Sequence, residues 1–248
     1  MESSSFPDFK PVLKFSLMFL FIYLIAYFIF FRKWISKTRP EASSCLISLF
    51  HGTPAAILAL AAIFADPNAG FATTNTQFQN LVLDYSTAYF IADLIHFAAF
   101  FAGDFLFVGH HLATLFVIVT CRHVALRGAF EVLSLLALAE ATSVFQNAWT
   151  LARARRNDVP FAAKVFDALS LPFYGLYSVV RGLFGPYFVF KMLVFYFSER
   201  AEGLIATWVW VSWVVVVSMA IAGSIAWVSN LWIELYRERT RMVEAKIR

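Results

Sequence analysis

Two adjacent histidines lie within a stretch of the chain that is apolar enough to cross a bilayer. His110 and His111 occupy the run FLFVGHHLATLFVIV at residues 105–119. A polar group left unpaired in hydrocarbon costs several kcal/mol, so two imidazoles at membrane depth indicate a functional site. On a helix the two rings point about 100° apart, so one can react while the other orients it or bonds a neighbouring helix.

Three other apolar stretches carry polar side chains at intervals of three and four residues, which places each set on one face of a helix. The sets are Tyr89, Asp93 and His96; Glu140, Ser143 and Asn147; and Tyr174, Tyr177 and Arg181. Because charges are expensive in a bilayer, we expect these faces to point into the bundle and to supply partners for the histidines. The structural alternatives are that Asp93 and His96 satisfy each other and that Arg181 forms an ion pair.

These residue types allow two kinds of chemistry. A histidine beside a carboxylate can act as a general base or carry an acyl group, and an arginine can hold a carboxylate or phosphate headgroup. A zinc or iron site is the rival interpretation, but the chain has only five histidines and no clustered HxxxH box. We therefore predict that the site holds no metal. We predict catalytic roles for His110, His111, Glu140 and Asp93. We predict substrate-binding roles for His96, Arg181, Asn147, Tyr89 and Tyr177.

The composition indicates an all-α, multi-pass membrane protein. The chain is 60% hydrophobic and 15% charged, whereas soluble domains are about half apolar and a quarter charged. Proline and glycine in the sixth apolar stretch predict a kinked or broken helix. His51-Gly-Thr-Pro54 is interpreted as a helix-start signal, and Glu131 as an interfacial residue outside the site. About seven stretches reach the roughly 17–25 residues needed to span a bilayer: 11–31, 45–65, 86–102, 105–121, 129–151, 169–197 and 204–233.

The basic residues predict a luminal N-terminus and a cytosolic C-terminus. They cluster in the segments after the first, fifth and seventh spans. Each of these segments follows an odd number of crossings, so all three lie on the same side of the membrane, and the positive-inside rule makes that side cytosolic. The segment 66–85 has no Lys or Arg, as expected of a luminal loop, whereas Arg122 and Arg127 fall on the luminal side against the rule. The net charge of +4 is thus assigned to cytosolic loops, and no nucleic-acid partner is expected.

Six segments of the chain match motifs of a known family: His51-Gly-Thr, Tyr89-Phe-Ile-Ala-Asp93, His110-His111-Leu-Ala-Thr114, Leu138-Ala-Glu140 through Asn147, Val180-Arg181 and Asn230-Leu-Trp232. Through them the chain resembles the TLC domain family over roughly residues 40–240. The resemblance implies six spans that enclose a cavity and one span that precedes them. It divides the chain into an anchor helix with a basic segment (1–39), the TLC domain (40–240) and a short cytosolic tail (241–248).

In the ceramide synthases of this family, the histidine pair takes part in acyl transfer from acyl-CoA to a sphingoid amine. The resemblance implies catalytic roles for His110 and His111, membrane lipids as partners and acyl-CoA as a candidate co-substrate, with no cofactor. Where the synthases have a D-x-x-D element, this chain has Glu140 and Ser143. The chain is therefore identified with the small TLC domain-containing proteins of lipid metabolism and homeostasis, in the endoplasmic reticulum or another secretory membrane.

Two classes of function stay open at this point. The protein is either a membrane enzyme that transfers an acyl group to a lipid, or a protein that binds, senses or transports a lipid without chemistry. A third alternative, a structural partner or cargo receptor, is supported only by the basic tail and the loop at 152–168. The sequence makes no prediction of the oligomeric state.

Overall fold

The computed structural model describes residues 9–247, so the first eight residues of the predicted anchor segment and Arg248 of the predicted tail lie outside the described residues. Short π-helical segments continue α1, α4 and α7 at Ala26–Phe30, Thr120–Ala125 and Val180–Phe184, and a 3-10 turn at Glu199–Ala201 precedes α9. The α-helices are α1 (Lys10–Ile25), α2 (Arg39–Phe64), α3 (Gln77–Phe100), α4 (Phe105–Val119), α5 (Ala129–Glu140), α6 (Ser143–Arg155), α7 (Pro160–Val179), α8 (Gly185–Tyr196) and α9 (Thr207–Ile247).

These helices form seven rods that correspond to the predicted spans, with α5–α6 and α7–α8 each forming one rod. In the described part of the chain, six rods are long and apolar enough to cross a membrane. The remaining rod, α3, is more polar, but its 24 residues extend over roughly 36 Å. It begins at Gln77 and not near residue 86, because Thr76 and Gln79 form a capping box at its start.

Six rods form a ring and α1 lies outside it. Around the ring, α2 contacts α3, α3 contacts α4, α4 contacts α9, α9 contacts α8 and α7, and the α5–α6 rod lies between α7 and α2. The anchor helix α1 packs mainly on α3 and less extensively on α2. This arrangement agrees with the expected multi-pass fold of six enclosing spans preceded by one.

Two rods are interrupted in their middle. The sixth span is broken as predicted, because Pro186 has no amide hydrogen for the carbonyl of Gly182 and the backbone there adopts a π-helical turn. The fifth predicted span, 129–151, is also interrupted, because α5 ends at Glu140 and α6 begins at Ser143. Such breaks release backbone carbonyls from their helical partners, and other groups must then satisfy them.

Pro54 also leaves a backbone carbonyl without its helical hydrogen-bond donor, here inside α2. A proline at this position leaves the carbonyl of Phe50 without its usual helical donor. The hydroxyl of Tyr85 on α3 donates a hydrogen bond to that carbonyl at 2.6 Å. Because an unsatisfied carbonyl is costly in a bilayer, this bond fixes α3 against α2 beside the polar residues described below.

The loops between α2 and α3 and between α4 and α5 close one end of the ring, which we name the luminal end after the predicted orientation. Asn75 accepts a hydrogen bond from the amide of Ala129 at 2.9 Å and donates one to the carbonyl of Cys121 at 3.1 Å. Gly128 has a φ of +87°, and a Cβ there would lie 2.8 Å from the ring of Trp213 on α9. Only glycine fits this close contact between the loop and α9.

The two arginines that oppose the positive-inside rule are both engaged at this end. Arg122 forms a bidentate ion pair with Asp84, at 3.0 Å for Nε–Oδ1 and 3.3 Å for Nη2–Oδ2. Arg127 donates to the carbonyl of Ala72 at 3.1 Å. Both arginines are thus held by groups of this end, and the luminal position of the end stays a prediction.

The sequence indicated that Glu131 is interfacial, but in the structure it is fully buried at the luminal end. Its Oε1 accepts hydrogen bonds from the amide of Ala72 at 2.6 Å and from the hydroxyl of Tyr196 at 2.7 Å. A carboxylate can be buried when such donors replace water. Glu131 therefore ties a luminal loop to α8, apart from the polar cluster of the next section.

Candidate functional site

Asp93 on α3 lies at the centre of a buried polar cluster. Its Oδ1 accepts a hydrogen bond from the hydroxyl of Ser44 on α2 at 2.7 Å. Its Oδ2 accepts from the hydroxyl of Tyr89 at 3.3 Å and lies 2.9 Å from Nε2 of His111 on α4. Three helices thus place polar groups on one carboxylate, which compensates the cost of burying it.

Both ring nitrogens of His111 are occupied. Nδ1 lies 2.8 Å from the carbonyl of Phe107, and because a carbonyl can only accept, Nδ1 must carry a hydrogen. Nε2 faces Asp93 at 2.9 Å, and a single proton lies between the two groups, on the imidazole or on the carboxyl. His111 is also buried. It therefore has no free nitrogen for a substrate, and it holds the position of α4 relative to α3.

His110 is the opposite case. Its side chain is exposed, and its ring nitrogens make no hydrogen bond to the part of the chain that the structure describes. The ring lies edge-on to those of Phe90 and His111, with centroid distances of 6.5 and 5.6 Å. It is close enough to Arg181 and Asp93 for their charges to act on it, so it faces the ring interior and not only the lipid.

His51 on α2 belongs to the same cluster, contrary to its interpretation as part of a helix-start signal. Its fully buried ring stacks on that of Tyr89, with a centroid distance of 3.9 Å and an interplanar angle of 6°. Nε2 lies 3.1 Å from the hydroxyl of Ser86, and Nδ1 lies 3.8 Å from Oε1 of Glu140 without a hydrogen bond. Tyr89 thus links two histidine–carboxylate pairs: its ring face contacts His51 of the His51–Glu140 pair, and its hydroxyl donates to Asp93 of the Asp93–His111 pair.

Glu140 and its neighbours reach the cluster because α2 and the α5–α6 rod approach closely at Gly52. A Cβ on Gly52 would lie 2.6 Å from the Cβ of Ser143 and 2.7 Å from Oε2 of Glu140. The hydroxyl of Ser143 donates to that same Oε2. Further along α6, the amide of Asn147 donates to the hydroxyl of Ser48 on α2 at 2.9 Å, so Asn147 joins the two rods.

Arg181 lies in the π-helical turn of the sixth span and points at the break in the fifth. Its Nη2 donates to the carbonyl of Ala139 at 3.2 Å, a carbonyl near the end of α5, where a cation is favourable. The guanidinium lies over the ring of Tyr177, 5.4 Å from its centroid. Nε is buried without a partner, and among the described residues no carboxylate lies within ion-pair distance of Arg181.

His96 follows Asp93 on α3 but faces α1. The hydroxyl of Tyr23 lies 2.9 Å from its Nδ1, and the ring is buried. His96 thus fixes the anchor helix to the outside of the ring, and it does not pair with Asp93 as the structural alternative had suggested. Its predicted role in substrate binding stays a prediction that the proposals below do not use.

The structure therefore brings most of the predicted residues to one place. The charges of Arg181, His111 and Asp93 all act on Glu140, with His110 beside them. Sequence reasoning missed Ser44, Ser48 and His51 on α2 and Ser86 on α3. The signal for the α2 residues was present, because 44, 48 and 51 follow the same spacing of four and three that identified the other faces.

The arrangement combines a free imidazole, a held imidazole–carboxylate pair, a second carboxylate and a guanidinium. Such a set can move protons, attack an acyl carbon and hold an anionic group. In the part of the chain that the structure describes, no three or more His, Cys, Asp or Glu side chains gather as metal ligands.

Comparison with known proteins identifies the family. The family model for the TLC domain matches residues 41–233, which run from α2 into α9 and include the ring and the polar cluster. A TLC domain-containing protein of Arabidopsis thaliana, At5g14285, is 55% identical over 249 residues, with 98% of this chain and 97% of the relative covered. No solved structure matches. The chain is thus a membrane protein that belongs to the TLC domain family.

Proposed function

We propose that this protein acts in lipid metabolism by transferring an acyl group to a lipid, with His110 as the residue that carries the acyl group. The observation that supports this most is the different state of the two histidines. His111 is buried with both nitrogens engaged, whereas His110 is exposed and has free nitrogens. A nucleophile needs a free lone pair at an accessible position, and of the pair only His110 has one.

The proposed reaction has two steps. A ring nitrogen of neutral His110 attacks the carbonyl carbon of an acyl-CoA thioester, the C–S bond breaks, and the proton of the other ring nitrogen goes to the departing thiolate. A hydroxyl or amine of the acceptor lipid then attacks the acyl-imidazole, the C–N bond breaks, and the proton of the acceptor returns to the imidazole. The donor thiol and the acylated lipid leave, and His110 is restored.

Neighbouring residues support these steps through charge and position. Glu140, whose Oε2 accepts a hydrogen bond from Ser143, would accept the proton of the acceptor lipid and pass it to the imidazole. Arg181, whose Nε has no partner among the described residues, would hold an anionic part of either substrate. The charges of Arg181, Asp93 and His111 act on both His110 and Glu140, and the Asp93–His111 pair keeps α4 in register.

A second candidate function is lipid binding, sensing or transport without chemistry. The guanidinium of Arg181 favours it, because among the described residues it has no ion-pair partner and its buried Nε has no hydrogen-bond partner, and a cation within a membrane favours an anionic partner. A bound phosphate or carboxylate headgroup would supply that partner. In this case His110 would serve as a hydrogen-bond donor or acceptor to the headgroup and would never become acylated.

As the site of action we propose the endoplasmic reticulum or another secretory membrane, with a luminal N-terminus and a cytosolic C-terminus. The basic segments after the first, fifth and seventh spans support this orientation. It puts His110, five residues into α4, in the cytosolic half of the bilayer, where an acyl-CoA made in the cytosol can reach it.

Cellular lipid profiles test acyl transfer against lipid binding. We expect cells that express the wild-type protein to accumulate an acylated lipid, and cells that express His110→Ala at equal level to lose about 10²-fold or more of that product. His123→Ala is the matched control, because His123 lies on the same rod but at the luminal end, and it should behave as wild type. Profiles unchanged by His110→Ala, with lipid still bound to the purified variant, would contradict acyl transfer and support the second candidate.

A further inference from the structure

The inward face of α4 is covered at its luminal end and uncovered towards its cytosolic end. Leu106, His110, Ala113, Val117 and Cys121 follow one another at helical spacing and share a face. On that face Cys121 is 0% exposed and Val117 is 6% exposed, whereas Leu106 is 85% exposed. This face is therefore covered near Val117 and Cys121 and uncovered near Leu106 and His110.

Loops cover Cys121. The helix beside α4 in the ring is α9, which leans from α4 towards α7 as it crosses the bundle. Near its start, the indole of Trp213 donates to the hydroxyl of Thr120 at 2.8 Å, directly after α4. Near its cytosolic end, the indole of Trp232 donates to the hydroxyl of Ser178 on α7 at 3.1 Å. These two contacts indicate that α9 diverges from α4 towards the level of His110.

The side chains of α9 that face the gap are small. The two helices run antiparallel, so seven residues from the Trp213–Thr120 contact, about 10 Å along each axis, Ala220 reaches the level of Ala113. Ser224, four residues further along the same face of α9, reaches the level of His110. Neither side chain is large enough to fill the space that the divergence leaves.

We propose that the polar cluster opens sideways into the bilayer through this gap between the cytosolic halves of α4 and α9, and that the acyl chain of a membrane lipid occupies it. This inference rests on the proposed function in assuming that the cluster handles a lipid. Leu106 and Phe105, which is 81% exposed, make the mouth apolar. Inside it, His110 and the unpaired Nε of Arg181 face the ring.

The depth of the gap favours a lipid of the cytosolic leaflet. The α4 rod from Phe105 to Ala125 has 21 residues, about 31 Å, which matches the hydrocarbon core. His110 is five residues from its cytosolic start, about 7 Å below the edge of that core. The carbonyl of an acyl chain lies at the edge of the core and the first carbons of the chain lie below it, so a chain that enters the gap from this leaflet passes His110.

Photo-crosslinking in nanodiscs tests this opening with a phosphatidylcholine that carries a diazirine near the carbonyl of one acyl chain. We expect adducts on the inward residues His110 and Ala113 of α4 and on Ala220 and Ser224 of α9, besides those on the outer surface. Ala113→Trp should fill the gap and remove the adducts from His110 and Ser224. Leu112→Trp, at the same depth but on the outward face, is the matched control and should leave them in place.

If the wild-type protein gives no adducts on these inward residues, the lateral opening is wrong, whether or not Ala113→Trp folds. The opening is also wrong if Ala113→Trp folds and still gives the inward adducts. The proposed acyl transfer can fail separately. Inward adducts in a protein whose His110 is never acylated would support the opening and contradict the transfer. Acylation of His110 without inward lipid adducts would support the transfer and contradict the opening.

Discussion

Replacing Asp93 by alanine is expected to lower the free energy of unfolding by about 3–5 kcal/mol, the usual cost of removing one partner from a buried polar pair. The change leaves three groups without their acceptor: the hydroxyls of Ser44 and Tyr89 and the Nε2 of His111. These groups come from three helices, so the loss also weakens the contact of α2 and α4 with α3. Steric trapping in bicelles measures the free energy of unfolding.

The matched control is Asp93→Asn, which has nearly the same shape. Its amide oxygen can still accept from Ser44, and its amide NH₂ can donate to Nε2 of a neutral His111 that keeps its hydrogen on Nδ1. We therefore expect Asp93→Asn to cost about 1–2 kcal/mol, the scale of the two hydrogen bonds that it alters, those of His111 and Tyr89. If alanine costs no more than asparagine, Asp93 is not the centre of the cluster.

Replacing Gly52 by alanine is expected to lower the free energy of unfolding by about 2 kcal/mol, in the range measured for overpacked cores. The added Cβ would lie 2.6 Å from the Cβ of Ser143 and 2.7 Å from Oε2 of Glu140. Neither contact can persist, so α2 must move away from the α5–α6 rod. The same movement takes Glu140 away from His51, so we expect Gly52→Ala to reduce the activity at His110 as well.

Gly175→Ala provides the comparison for Gly52→Ala. Gly175 lies within α7, and a Cβ there would meet no atom within 4 Å. Alanine is favoured over glycine in a helix interior by up to about 1 kcal/mol, so this variant should be as stable as wild type or slightly more so. Equal effects of the two substitutions in the unfolding measurement would show that α2 does not depend on close approach at Gly52.

The fold could be predicted largely from the sequence because each span carries its own signal. Length and apolarity identified the rods, and proline with glycine identified the break beside Arg181. Helical spacing placed Tyr89 and Asp93 on the inward face of α3 before any contact was known. Resemblance to a family added the ring of six, which no single span encodes.

Other features depend on contacts between distant segments and could not be read locally. The break after Glu140 has no proline to announce it. The start of α3 at Gln77 depends on a capping box in a polar stretch that hydropathy assigns to a loop. Glu131 looked interfacial because its position near a helix start is local information, whereas its donors come from a loop and from α8.

The division of roles within the histidine pair is the clearest example. Sequence shows that His110 and His111 must point in different directions, but not which of them is engaged. That depends on the position of Asp93 across the α3–α4 contact and on the carbonyl of Phe107. Both lie on the side of His111, so the structure leaves His110 as the free member.

Mapping of the acylated residue tests the central claim most directly. Purified wild-type protein is incubated with oleoyl-CoA, quenched in acid and digested, and the peptide that contains both histidines is fragmented in a mass spectrometer. Our account predicts an oleoyl group on His110 in the wild type and in His123→Ala, and none on this peptide in His110→Ala. An oleoyl group on His111, or no acylated histidine in active wild-type protein, would contradict it.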